Sequence, residues 1–256
     1  MMTIGSLFSG IGGFELGLEM TGEFKTEWQC EIDPYCQKVL ENHWPNVKRF
    51  TDIKKMGVVE EIPHVDVICG GFPCQDISYA GKGAGIHAER SGLWWEMLRI
   101  IRLVEPRYVL VENVAALLNR GLNEVLGSLA ESGYDAEWQI LSAKFVGSPQ
   151  LRERLYIVAY PTFSGIIRQG AGKERAGRNI SIRRSLFSGN NGMAERQGSE
   201  TQRHPGPWAT EPDICRVADG IPNQLDRLRA LGNAIVPQCV QFVGQRILEF
   251  EKEMSA

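Results

Sequence analysis

The chain of 256 residues is long enough for one large core, or for one core with a small appended module, and its formal charge of −3 offers no overall attraction for a polyanion. Hydrophobic residues at 43% and charged residues at 23% exclude an intrinsically disordered chain, and no apolar run reaches the length of a transmembrane span. The first residues, Met1-Met2-Thr3-Ile4-Gly5, lack the basic-then-apolar order of a signal peptide, and the six cysteines show neither a CxxC pair nor metal-ligand spacing with histidine, which fits reduced thiols in a cytosol and no metal site.

In chain order, Thr3 to Phe8 reads as a strand, Phe14 to Met20 as a helix, Thr26 to Glu31 as a strand and Pro34 to Asn42 as a helix, a βαβ series. A short buried strand follows at Val65 to Cys69, then a helix from about Gly92 to Val104, the strand Tyr108 to Val111 and a helix around Leu122 to Glu131. Helical crossovers imply parallel pairing. After Gly133 two strand-like runs, Trp138 to Leu141 and Leu155 to Ala159, have no helix between them, which predicts an antiparallel hairpin at one sheet edge.

From Phe163 to Pro207 the periodicity vanishes, and Arg168, Lys173, Arg175, Arg178, Arg183, Arg184, Arg196 and Arg203 face only Glu174, Glu195 and Glu200, eight cations against three anions and a local +5. On composition alone this is a flexible surface insertion. Order returns at Trp208, and the helical pattern Ile235 to Phe250 leads back to the core, so the basic stretch is an excursion from one domain.

Chemistry concentrates at the strand ends. The first strand runs into Phe8-Ser9-Gly10-Ile11-Gly12-Gly13, a glycine-rich strand-to-helix turn where a cofactor can approach the backbone. A dinucleotide fingerprint needs a third glycine where Glu15 stands, and no phosphate loop of the GxxxxGK[ST] type occurs, which disfavours NAD and ATP. A nucleoside without phosphates needs a carboxylate for its ribose hydroxyls instead, and Glu31 and Asp52, each at a predicted strand end, supply candidates; either also suits a helix cap or a solvated loop. Cys74 follows Gly70-Gly71-Phe72-Pro73 just past a buried strand, where open α/β sheets bind ligands. A free cysteine is commonly an inert core residue, but Pro73, the paired glycines and the polar Gln75, Asp76 and Ser78 favour a nucleophile here. Glu112-Asn113 closes the Tyr108 strand, as an acid of raised pKa or as a helix N-cap. Arg152 and Arg154 fall on one side of an extended segment, to orient a carboxylate or to face solvent.

Together these segments resemble the cytosine-C5 DNA methyltransferases, over nearly the whole chain and in the family's order. The motifs are Phe8-Ser9-Gly10-Ile11-Gly12, Pro73-Cys74-Gln75, Glu112-Asn113-Val114, Gln150-Leu151-Arg152-Glu153-Arg154 and Gly232-Asn233-Ala234-Ile235-Val236-Pro237. The resemblance implies an α/β fold: a Rossmann-like mixed sheet with helices on both faces, plus a small recognition insert. Residues 1–160 would form the catalytic and cofactor-binding core, 161–220 a short target-recognition insert, and 221–256 a C-terminal helix returning to the core.

It further implies S-adenosylmethionine as methyl donor, with Phe8, Gly10 and Gly12 around its methionine part, Glu31 at the ribose, Ile32, Asp52 and Ile53 near adenine, and Pro73 and Asn233 beside it. Cys74 would attack C6 of a cytosine flipped out of duplex DNA, Glu112 would hold or protonate N3, and Arg154 would hold Glu112 with Arg152 close by. Gln75, Ser78, Lys82 and Arg90 would meet DNA from a glycine-rich closing loop. The implied protein is a monomer on double-stranded DNA, with a companion restriction endonuclease left open. The excursion is short and poor in aromatic and β-branched residues, which predicts modest sequence discrimination. Two rivals stay in view: a transfer-RNA cytosine-C5 methyltransferase of the same fold, and a non-catalytic DNA-binding regulatory homologue, against which the intact Cys74, Glu112, Arg152 and Arg154 argue.

Overall fold

The computed structural model describes residues 1–73, 92–162, 186–187 and 224–255. Its first half is the expected βαβ series: β1 (Met2–Leu7), α1 (Gly13–Glu19), β2 (Phe24–Cys30), α2 (Pro34–His43), β3 (Lys48–Phe50) and β4 (Val67–Gly70). Then come α3 (Leu93–Val104), β5 (Tyr108–Val114), α4 (Leu122–Glu131), β6 (Tyr134–Ser142), β7 (Glu153–Pro161), α5 (Gln224–Asn233) and α6 (Pro237–Ser255). Local chemistry sets several boundaries. The Asp33 side chain accepts from the N–H groups of Tyr35 and Cys36 while Pro34 opens α2, a capped start that leaves one donor fewer to satisfy. In α3, Trp94, Met97, Leu98, Ile101 and Val104 recur at three- and four-residue spacing and are all buried, so the helix lies flat on the sheet.

The seven strands form one sheet in the order β3-β2-β1-β4-β5-β7-β6. Strands β1 to β5 pair in parallel, while β7 runs antiparallel to both β5 and β6. The predicted hairpin is present, with β7 inside the sheet and β6 at its edge. One core packs α3 and α4 against one face through residues such as Trp94, Ile101 and Val125, and a second packs α1 and α6 against the other through Phe14, Leu18, Val240 and Ile247. No helix among the described residues is long and apolar enough to cross a membrane.

Several expectations needed correction. Strand β5 runs on to Val114, so Glu112 and Asn113 sit within a strand rather than at a helix cap: pairing with β7 carries the ladder three residues past Val111. Helix α5 escaped the sequence reading because its apolar positions are few and its mean hydropathy is low. Within the aperiodic stretch, Leu186 is buried in the α6 core and its carbonyl accepts from Arg246 Nε at 2.8 Å, so that stretch touches the core at this point.

Candidate active site

The chain leaves β1 toward β2 on one side and resumes at β4 on the other, which opens a crevice at the carboxyl ends of β1 and β4. A cleft of about 320 Å³ lies there. Its floor is the turn after β1. Phe8 holds φ of 55°, a left-handed conformation rare outside glycine, and Gly10 and Gly12 follow at 56° and 88°. A methyl at Gly12 would strike the Trp44 ring, at 2.3 Å, so the turn is fixed by close packing as well as by conformation. Gly10 N–H donates to Glu31 Oε2 at 2.7 Å, and Asp33 N–H to Glu31 Oε1 at 2.8 Å, so one carboxylate clamps the turn to the end of β2. Ile32 beside it is 73% exposed, an apolar lip on the cleft.

The opposite wall carries Pro73, Glu112, Arg152 and Arg154. Antiparallel pairing sets Glu112 opposite Tyr156 and Val114 opposite Arg154, so Glu112 and Arg154 are diagonal neighbours on one face. Arg154 Nε lies 3.0 Å from Glu112 Oε1. Burial pushes the Glu112 carboxyl above the ordinary range, and the guanidinium groups of Arg154 and then Arg152 pull it back, which leaves an acid able to hold its proton closer to neutrality. Gly71 gives this carboxyl its room: a methyl there would stand 3.0 Å from Glu112 Oε2. The paired glycines make room within the fold, for Glu112 at Gly71 and for the Leu7 carbonyl at Gly70, where a methyl would lie 2.6 Å from the oxygen. Asn113, fully buried, donates to the Phe72 carbonyl at 3.1 Å and so ties β5 to the segment that leads into Cys74.

Arg152 donates to the carbonyls of Gly232, at 3.2 Å, and Ala234, at 2.7 Å, on either side of Asn233, which brings the Gly-Asn block to the cleft. The cleft therefore gathers Phe8, Gly10, Glu31 and Ile32 with Pro73, and it adds Glu112, Arg152, Arg154 and Asn233. Gly12, Asp52 and Ile53 are outside its lining. The Asp52 carboxylate instead accepts from Lys54 N–H at 3.0 Å, and Ile53 is buried in the core. Cys74, Gln75, Ser78, Lys82 and Arg90 lie outside the described residues. Sequence reasoning missed Ser9, Asp226 and Arg229 of the lining. The last two sit three apart on α5, a spacing that puts them on one helical face immediately before the Gly-Asn block, and that spacing was the available signal.

The model of the C-5 cytosine-specific DNA methylase family matches residues 2–173. The chain belongs to this family. It is 40% identical over 166 residues to the Type II methyltransferase M2.BsuMI of Bacillus subtilis (strain 168), a match covering 62% of this chain and 42% of that protein. To the Type II methyltransferase M.Bsp6I of Bacillus sp. (strain RFL6) it is 38% identical over 166 residues, covering 62% and 52%. The chain thus spans about half the length of the curated relatives it matches. Among solved structures, a Spodoptera frugiperda DNMT2 mutant superposes with a TM-score of 0.51 at 21% identity, covering 73% of this chain and 58% of that one. S. pombe Dnmt2 gives 0.51 at 18% identity, covering 77% and 66%. These two likenesses show the fold: a Rossmann-like methyltransferase sheet, here in a C-5 cytosine-specific DNA methylase.

Proposed function

We propose that this C-5 cytosine methylase transfers a methyl group from S-adenosylmethionine to C5 of a cytosine extruded from duplex DNA. One observation carries the reading: a single cleft holds the Arg154-gripped Glu112 acid on one wall and the Glu31-clamped glycine turn on the other. The residues present fit the donor. Glu31 offers acceptors for ribose hydroxyls, exposed Ile32 offers an apolar face for adenine, and the Phe8 to Gly12 turn would hold the methionine part. Among the described residues the cleft's arginines face Glu112, the carbonyls beside Asn233 and, 3.9 Å away, Asp33, which suits a donor without phosphates. When bound, the donor supplies an electrophilic methyl group.

Cys74 is the nucleophile by this reading. Its thiolate adds to C6, the C5–C6 double bond opens, and Glu112 passes a proton to N3 to take up the charge, which makes C5 nucleophilic. C5 takes the methyl group as the S–CH3 bond breaks and S-adenosylhomocysteine is left; the C5 proton then passes to water, the thiolate departs from C6 to restore the C5–C6 double bond, and N3 returns its proton to Glu112. A base stacked in a duplex offers neither face to a thiol, so extrusion is required, with the Gln75 to Arg90 segment, including Ser78 and Lys82, against the backbone. Residues 1–160 serve as catalytic core and 161–220 as recognition insert, followed by the returning C-terminal helix.

The test supplies methyl-labelled S-adenosylmethionine with duplex DNA or with transfer RNA. Label in duplex cytosine, lost in Cys74→Ser, is expected; label in transfer RNA alone would replace the substrate, and turnover retained in Cys74→Ser would overturn the mechanism.

A further inference from the structure

Beneath the cofactor turn lies a polar group that the chemistry above does not use. Glu15, in the first turn of α1, is wholly buried, and its Oε1 accepts from Gln29 Nε2 at 3.0 Å. Glu15 Oε2 and Gln29 Oε1 are both buried acceptors with no donor. An ionised Glu15 would leave Gln29 Oε1 without a donor away from water and would have to draw its own from the neighbouring serine hydroxyls, a costly arrangement. One proton on the carboxyl converts Oε2 from an acceptor without a donor into a donor, as in an acid–amide pair.

The cluster reaches the cleft through Ser9. The hydroxyls of Ser6 and Ser9 face the same carboxyl, and Ser9 Oγ donates to Ser6 Oγ at 3.0 Å and to the Ser6 carbonyl at 3.2 Å. Ser9 lines the cleft, and its carbonyl accepts the Gly12 N–H at 2.9 Å, closing the turn that carries Gly10. The surroundings supply no compensating cation among the described residues: β1 offers Ser6, β2 offers Gln29, β4 offers the buried Cys69 thiol, and α6 packs on α1 through Val240. Glu19, one turn along α1, spends its carboxylate on Thr26 and Trp44.

We infer that Glu15, as the neutral acid, is a positioning residue that props the Phe8 to Gly13 turn for the methyl donor, and that its deprotonation loosens the turn and weakens donor binding. The inference rests on the donor reading above. Burial pushes the Glu15 carboxyl up to about 7, which places the transition in the working range. Deprotonation forces the Ser6 and Ser9 hydroxyls to turn toward the carboxylate, away from the arrangement that seats Ser9.

The experiment titrates S-adenosylhomocysteine calorimetrically into the full chain, wild type and Glu15→Gln, from about pH 6 to about pH 9. Glutamine keeps the shape and a permanent donor, and both proteins share the ligand's own titrations, so their difference reports Glu15. The wild-type Kd is expected to rise several-fold above neutrality, with a limit of about tenfold per pH unit, while Glu15→Gln keeps the low-pH affinity throughout. Identical pH profiles, or affinity lost at every pH in folded Glu15→Gln, would overturn the role of Glu15. Wild type that binds no S-adenosylhomocysteine at any pH would overturn the donor reading itself.

Discussion

Glu112, Glu31 and Glu15 are three carboxyls set to different tasks by their surroundings. Glu112 is half-buried with its arginine at 3.0 Å, so burial raises its carboxyl above the ordinary range while the ion pair holds it in place, and Glu112→Gln is expected to slow methylation by about 10²- to 10⁴-fold with DNA affinity little changed, as read by single-turnover label transfer. Glu31 holds two backbone N–H groups, so Glu31→Ala orphans both and is expected to cost about 1–3 kcal/mol of stability, and to weaken S-adenosylhomocysteine binding as well, which thermal melts with and without the ligand would report. Glu15 has a folded pKa of about 7 against an ordinary 4.5. Between those values the folded chain keeps a proton that the unfolded chain has released, so stability is fullest below the lower value, falls as pH rises through the window by about 3 kcal/mol, and is flat above it. Denaturant midpoints across that window should fall in wild type and stay level at this position in Glu15→Gln.

At the scale of elements, the site depends on the antiparallel turn-back of β7 between β5 and β6, which converts a diagonal register into the Glu112–Arg154 pair. Two strand-like runs with no helix between them showed that hairpin, and the i, i+2 spacing of Arg152 and Arg154 showed their shared side. The partner of each did not follow: Arg154 meets Glu112 across the strand, whereas Arg152 reaches 80 residues along the chain to the Gly-Asn block, a contact only the return of α5 creates. Strand ends and glycine turns were legible because one residue type satisfies each. Asp52 and Ile53 fall outside the cleft's lining, a difference the sequence does not carry, because a strand-end carboxylate reads alike whether it caps a turn or faces a cleft. Leu186 has no periodic neighbours to announce it, yet it is 1% exposed among α6 side chains, so Leu186→Ala is expected to cost about 2–5 kcal/mol, measurable in denaturant melts. Asn113→Ala releases the Phe72 carbonyl and is expected to lower kcat with little change in Kd for S-adenosylhomocysteine, since it loosens the approach to Cys74 and leaves the glycine turn intact.

For the whole molecule, a net charge of −3 makes the proposed duplex binding a local matter, with the +5 of residues 163–207 as the basic segment the sequence offers. A chain whose match spans about half the length of its curated relatives carries the five motifs in the family's order, and the sheet brings four of the five to one cleft, with Pro73 marking the approach of the fifth. The central claim is that this approach delivers Cys74 to C6 of an extruded cytosine. Duplex DNA carrying 5-fluorocytosine tests it directly, because fluorine stands where the C5 proton must be lost, and the methylated thiolate adduct stalls. Incubated with S-adenosylmethionine and run on a denaturing gel, the wild-type chain is expected to give a donor-dependent protein–DNA band that Cys74→Ser lacks. A wild type that methylates ordinary duplex DNA without forming that band, or a band that survives in Cys74→Ser, would contradict the account.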